Sequence, residues 1–266
     1  MSASAGGALE GRTALVTGAV GALGGAVARR FAREGARVVV SDIDADATGA
    51  LAAAIAEETG RETYAVAVDV SDQDAVEDAA WRVTSEFGVC DALVVNAGVL
   101  ALGPATELTR RQWDLVVGVN LTGAFVTATV FGRHLLASGR PGTVVFCSSL
   151  FGVRGGAGNA AYSASKFGVL GLSQSMAGDL APAGIRVNAV CPGQIDTVML
   201  DSLFRVRAEE AGTTPEHERA EFCRRIPLGS LGTADDVAKA FVYLSSDASS
   251  YVTGQHLVLD GGWQVG

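Results

Sequence analysis

Tyr162 and Lys166 stand four residues apart in Tyr162-Ser163-Ala164-Ser165-Lys166, a spacing that turns both side chains to one side of a helix. Ser149 lies 13 residues before Tyr162, just past a run ending Val145-Phe146-Cys147-Ser148 that reads as a strand. A phenol, an ammonium and a hydroxyl gathered in this way suit the oxidation of an alcohol, in which a base takes the hydroxyl proton as hydride leaves the carbon. A phenol is a weak base at neutral pH, and a neighbouring cation favours its anionic form. Taken singly, each residue also has a plain structural use: Tyr162 as a core aromatic, Ser149 in a turn, Lys166 as a surface cation.

A second constellation lies near the N-terminus. The run Thr13–Thr17 leads into Thr17-Gly18-Ala19-Val20-Gly21-Ala22-Leu23-Gly24, and a helix follows. A glycine-rich turn between strand and helix lets backbone N–H groups approach a pyrophosphate, and the helix N-terminus adds partial positive charge. Asp42 ends the next apolar run, Val38–Ser41, 18 residues after Gly24. A carboxylate there can accept both ribose hydroxyls of an adenosine and repels a 2′-phosphate. No Lys or Arg lies inside the turn or directly after Asp42, so the expectation is NAD rather than NADP. The plain use of Asp42 is as a helix cap, since Asp44 and Asp46 follow.

The elements that must hold these residues alternate. Thr13–Thr17, Val38–Ser41, Tyr64–Val68, Ala92–Val95, Thr143–Cys147, Arg186–Cys191 and His256–Leu259 read as strands. Most are apolar without polar alternation, as in strands covered on both faces. Helical stretches separate them, among them Ala26–Glu34 and Ala45–Thr59, the latter stopped by Gly60. Ser71 with Asp74 resembles a capping box for the next helix. Alternating strands and helices predict a doubly wound α/β domain with a parallel sheet. Residues 197–227 break the alternation and are too long for an ordinary loop. They read as two helices, the first carrying Leu200, Leu203, Phe204 and Val206 and ending near Gly212. The second has Thr214 as its cap and Pro215 at its first position, and stops near Ile226 before Pro227. An insertion of this kind is a substrate lid or an oligomer contact.

Composition excludes other classes. The 266 residues carry a net charge of −9 with 48% hydrophobic and 18% charged residues, which argues against disorder and against nucleic-acid binding. Leu115–Gly132 has no charge, but Asn120, Thr122, Thr127, Thr129 and two glycines interrupt it, so a buried or interface helix is expected rather than a membrane span. Cys90, Cys147, Cys191 and Cys223 are more than thirty residues apart, as expected of reduced thiols in a cytoplasmic protein. His134, His217 and His256 have no partner at metal spacing, and no metal is expected. Residues 1–10 read as a flexible tail, followed by one domain over 11–266. The cations are 18 Arg and only two Lys, Lys166 and Lys239. Lys is a compact cation that can join a proton relay, whereas Arg is a wide fork that stays protonated, so Lys166 is a position where Arg should fail. Lys239 reads as a solvated helix residue.

Together these pieces resemble the short-chain dehydrogenase/reductase family over nearly the whole chain. The resemblance rests on the turn from Thr17, Asp69-Val70, Val95-Asn96-Ala97-Gly98, Asn120, Ser149, the YxASK motif at Tyr162–Lys166, Pro192-Gly193, and the stretch from Gly254 to Gly262. Two departures stand out: Ala22 replaces the middle glycine of the family's turn, and Val95 replaces the first Asn of its NNAG. The resemblance implies a single-domain Rossmann fold with a seven-stranded parallel sheet, helices on both faces and a helical lid over about 197–227. It implies a catalytic set of Asn120, Ser149, Tyr162 and Lys166. Tyr162 would be the acid/base, Ser149 would bond the substrate oxygen, Lys166 would favour the phenolate and hold the nicotinamide ribose, and Asn120 would position a water behind Lys166. An NAD site would take in Gly18, Ala22, Leu23, Gly24, Asp42, Ile43, Asp69, Val70, Asn96, Ala97, Gly98, Tyr162, Lys166, Pro192, Gly193, Ile195 and Thr197. Ile195 and Thr197 would bracket the nicotinamide carboxamide. Substrate would meet Ser149, Phe151, Tyr162, Met199, Leu200 and Phe204, with Leu203 beside them. The implied reaction interconverts a secondary alcohol (a polyol, a diol or a partly apolar hydroxy compound) and its ketone. A homotetramer or dimer is implied, with the Leu115–Gly132 helix and the Tyr251–Gly266 end as interfaces. Two other functions stay open. A 3-oxoacyl-thioester reductase would work with NADPH and present a basic patch to an acyl carrier. A non-catalytic NAD-binding sensor would bind cofactor without turnover.

Overall fold

A computed structural model describes residues 6–265, apart from the side chains of Val198, Met199 and Glu210. Seven strands form one sheet: β1 (Thr13–Thr17), β2 (Arg37–Asp42), β3 (Thr63–Ala67), β4 (Ala92–Val95), β5 (Gly142–Cys147), β6 (Ile185–Pro192) and β7 (His256–Leu259). Their order is β3-β2-β1-β4-β5-β6-β7, and every pairing is parallel. The order reverses between β1 and β4, the crevice at which open α/β sheets bind ligands.

Helices cover both faces. On one lie α1 (Ala22–Arg33), α2 (Ala45–Thr59) and α9 (Ala234–Ser245), and on the other α3 (Gln73–Glu86), α4 (Arg110–Val117), α5 (Ala124–Ala137) and α6 (Ala160–Leu180). The period of two along a strand divides the core: Leu15, Leu93, Val144 and Phe146 point to one layer, while Val16, Val94 and Val145 point to the other. All residues of β1, β4 and β5 are buried, which accounts for their unbroken apolar runs. The uncharged Leu115–Gly132 stretch falls inside the continuous helical segment Arg110–Ala137, whose most apolar window is 56% buried against the rest of the protein.

Three local expectations need correction. The capping residue of α3 is Asp72, which accepts from Ala75 N; Ser71 is held instead by the Asp69 carboxylate. β3 runs one residue earlier than its apolar pattern, because it is an edge strand with only Val66 buried. The expected tail at 1–10 is anchored from Gly7 onward, residues 1–5 lying outside those described. Leu9 is fully buried and donates its N–H to Glu34 O, Ala8 N–H bonds the Glu34 carboxylate, and Glu10 pairs with Arg61. Lys239 sits in the second turn of α9 and pairs back to Asp235 and Asp236 in the first at 2.9 and 3.1 Å, a solvated helix residue.

Candidate active site

The turn after β1 is shaped by contacts that only glycine allows. Gly18 has φ +63°, and a Cβ on it would lie 2.7 Å from Ala97 Cα. A Cβ on Gly24 would lie 2.2 Å from Gly18 O. Gly21 caps α1 without a side chain, and no acidic residue occupies the first turn, so the first N–H groups and the helix dipole face the crevice uncovered. Ala22, at the place where the family has glycine, opens α1 as an ordinary helical residue, beside Leu23. Beneath the turn, Thr17 Oγ1 accepts from Asn96 N and Ala97 N at 3.0 and 3.2 Å, and Asn96 Nδ2 donates to the carbonyls of Thr17 and Gly18. Asn96 thus clamps the end of β1 to the end of β4. Thr17 is a residue whose part in this clamp the sequence did not reveal, since a buried hydroxyl carries no pattern.

At the end of β2 the Asp42 carboxylate accepts from Val20 N at 2.9 Å and Ile43 N at 2.8 Å. This holds the acid beside the glycine turn and next to the exposed Ile43. Asp69 lies past β3 with Ser71 bonded to it, and Val70 is buried against Gly123. The donor set and the room left for a phosphate backbone fit a dinucleotide.

The second half of the site forms where β5 meets α6. Lys166 is 4% exposed, and its Nζ donates to Cys147 O at 2.8 Å. In return Ser148 Oγ donates to Lys166 O at 2.9 Å. Helix and strand approach closely because residue 152 is glycine: a Cβ there would lie 2.2 Å from Ser148 Oγ and 2.9 Å from Lys166 O. Lys166 Nζ lies 5.6 Å from the Tyr162 ring centre, so the expected pair does face one side of α6. Ser149 is extended and buried at the end of β5, with Oγ accepting from Phe151 N at 3.1 Å. The Phe151 ring meets Tyr162 edge-on, centres 6.4 Å apart. Burial pushes the Cys147 thiol up in spite of the Lys166 charge, and burial pushes Cys191 up to about 11, so both stay protonated beside the site.

Asn120 sits in a π-helical stretch, Gly118–Gly123, between α4 and α5. Such single-turn π segments favour functional sites. The side chain is 1% exposed and fully engaged: Oδ1 accepts from Val99 N, and Nδ2 donates to Val99 O and Ser165 Oγ. Ser165 in turn donates to Tyr162 O. The side chain therefore locks the β4 loop to α6. A Cβ on Gly98 would lie 3.3 Å from Asn120 Oδ1 and 3.5 Å from Lys166 Nζ, so Gly98, Asn120 and Lys166 share one wall.

Past β6, Pro192 ends the strand and Gly193 N–H bonds Leu259 O. Ile195 is buried, and Thr197 begins α7 (Val198–Ala211) without capping it by its side chain. α8 (Pro215–Cys223) follows, capped by Thr214. The lid holds itself by an aromatic stack: Phe204 meets Phe222 at 5.5 Å, and Phe222 stacks on Trp263 at 5.0 Å. Arg219 joins Asp196 and Asp201 across it. Phe204 is 1% exposed, which corrects its expected place against substrate: it forms the lid's own core, because Phe222 and Trp263 are far along the chain and invisible to local spacing. Leu200 is half-buried and Leu203 exposed, while the Met199 side chain lies outside the described residues.

Residues 18–264 match the family described as enoyl-(acyl carrier protein) reductase. The chain is 37% identical over 254 residues to the 3-oxoacyl-[acyl-carrier-protein] reductase of Thermotoga maritima, covering 96% of this chain and 98% of that one. It is also 37% identical to the D-threitol dehydrogenase of Mycolicibacterium smegmatis, with 97% and 94% covered. Among solved structures, a protein assigned as an NAD(P)-dependent gluconate 5-dehydrogenase from Beutenbergia cavernae, with NADP bound at low occupancy, superposes with a TM-score of 0.87 at 38% identity, covering 97% and 98%.

Proposed function

The chain belongs to the short-chain dehydrogenase/reductase family, oxidoreductases of alcohols and ketones, and from that premise we propose that it interconverts a secondary alcohol and its ketone with NAD(H). The observation that carries the reading is the joint placement of Tyr162, Lys166 and Ser149 at the β5–α6 junction, next to a glycine turn built for backbone contact. The bound nicotinamide supplies the hydride acceptor or donor. Tyr162 takes or returns the hydroxyl proton. The Lys166 ammonium stabilises the phenolate, and its buried position, anchored on Cys147 O, strengthens that field. Ser149 Oγ donates to the substrate oxygen while a lone pair of the same hydroxyl keeps accepting from Phe151 N, which holds the side chain in place. Asn120 is a positioning residue, fixing Ser165 and through it the Tyr162 backbone.

Asp42 supports NAD over NADP: its carboxylate, held beside the glycine turn by Val20 N and Ile43 N, would accept the ribose hydroxyls of an adenosine bound there and would repel a 2′-phosphate. A homotetramer is supported by the exposed Trp113, Leu115, Phe125, Leu136 and Phe167 on α4 to α6 and by exposed Tyr251 and Val265 near the C-terminus. The four free thiols support a reducing cytoplasmic setting. Steady-state rates on a panel of polyols, diols and apolar secondary alcohols, with NAD⁺ and NADP⁺ in parallel, test the reading. NAD⁺ should be preferred at least tenfold, and Asp42→Ala should narrow that ratio. Preference for NADP⁺ in the unaltered protein would overturn the cofactor assignment, and tight NADH binding without turnover of any substrate would favour a sensor.

A further inference from the structure

Many arginines of this acidic chain face carboxylates, as Arg30 faces Glu34 and Arg140 faces Asp91. Arg154 and Arg225 pair with none among the described residues. Both line one cavity of about 530 Å³, together with Arg224, Pro227 and Trp263. Three separate segments build it: the loop after Ser149, the residues leaving α8, and the turn after β7. The Arg225 guanidinium lies 4.9 Å from the Trp263 ring centre, and that ring stacks on Phe222. Arg225 is therefore oriented by an aromatic face, which leaves the in-plane N–H fork available to an acceptor. Arg224 bonds Glu221, so one of the three charges is already balanced and two are not. Unbalanced cations around one hollow repel each other, and an anion between them relieves the repulsion.

Two lining residues link the cavity to elements already described. Arg154 is three residues past Phe151, whose ring meets Tyr162, and Trp263 continues through Phe222 to Phe204 in the lid. Its volume lies in the small-molecule range of roughly 300–1,000 Å³. We propose that this cavity is an anion subsite, in which Arg154 and Arg225 hold a carboxylate or phosphate group of a hydroxy or oxo substrate whose reacting carbon reaches Tyr162. The inference rests on the alcohol/ketone reading and narrows its substrate class. A concave hollow with an aromatic-stacked guanidinium suits bidentate capture of a small anion. Docking of an acidic carrier protein would instead call for a broad basic face.

Two readouts test it. Thermal unfolding of the intact protein is followed with citrate or inorganic phosphate, against sodium chloride at equal ionic strength. A rise of several degrees is expected in the unaltered protein and should vanish in the double variant Arg154→Gln/Arg225→Gln, provided that variant unfolds at the usual temperature in chloride. No rise, or the same rise in both proteins, overturns the subsite. If an acidic acyl carrier protein binds through these two arginines and the small anions do not, the subsite is likewise overturned. The second readout is kcat/KM for a hydroxy acid, a phosphorylated hydroxy compound and the methyl ester of the acid. The double variant should lower the ratio of acid, or of phosphate, to ester at least tenfold, through KM; which ratio falls identifies the anion. An equal loss on all three overturns the subsite. Anion binding that persists while no substrate turns over would overturn the oxidoreductase reading and leave the subsite standing.

Discussion

Around the turn after β1, contacts are made by main chain: Gly24 lies against Gly18 O, Gly18 against Ala97, and the side chains of Asn96 and Thr17 bond to backbone groups. Around the lid, side chain touches side chain: Phe204, Phe222 and Trp263 stack, and Arg219 reaches Asp196 and Asp201. The first arrangement accepts almost no added atom, because nothing flexible is available to move aside. The second can exchange one aromatic or ion pair for another and keep its shape. Rigidity is thus concentrated in the turn, in a family whose members are named for substrates as different as D-threitol and 3-oxoacyl-[acyl-carrier-protein]. Tyr162 and Lys166 belong to neither region: they lie at the junction of β5 and α6, with the loop that carries Phe151 beside Tyr162.

The largest effect should fall at that junction. Tyr162→Phe should lower kcat about 10³-fold or more while NADH titration still shows binding, since only the proton-transfer group is removed; substantial activity would disprove the mechanism. Lys166→Arg should cost about 10²-fold, because a wide fork must fit where a compact ammonium, 4% exposed, bonds Cys147 O beside Gly98. Turnover at the usual rate would show that charge alone suffices there. In the cofactor region, Gly24→Ala puts a methyl group 2.2 Å from Gly18 O. It should destabilise the protein by about 1–3 kcal/mol and weaken NADH binding at least tenfold, read by calorimetry and fluorescence titration. Phe222→Ala supplies the contrast. It should cost about 2 kcal/mol, since the ring is half-buried, raise substrate KM, and change the dissociation constant of NADH less than twofold. If Phe222→Ala weakened NADH binding as strongly as Gly24→Ala, the two regions would not be separate in function.

The regular parts of the fold were legible for a simple reason. In a parallel sheet covered on both faces, burial imposes unbroken apolar runs, and β1, β4 and β5 show them directly. The lid was legible through its punctuation, Gly212 at the end of α7 and Thr214-Pro215 at the start of α8. Phe204 was misplaced because a helical face shows which residues point together but not toward which side. Ser71 yielded to Asp72 because two adjacent cap-forming residues compete and the carboxylate of Asp69 captures the serine. Leu9 was hidden in a short polar stretch whose one large apolar residue has a pocket only in the folded chain.

By itself the sequence determined the chemistry on offer. The spacing of Tyr162, Lys166 and Ser149, the glycines around Gly18 and the acid at Asp42 are local relations, carried by helix periodicity and by the steric needs of a turn. Only the tertiary structure decided how those groups are held and what surrounds them. It brought Lys166 onto Cys147 O, engaged every polar atom of the Asn120 side chain, and set Arg154 and Arg225, 71 residues apart, around one hollow. Such contacts join segments distant along the chain, and no local pattern encodes them, because the free energy that selects them comes from packing the whole sheet.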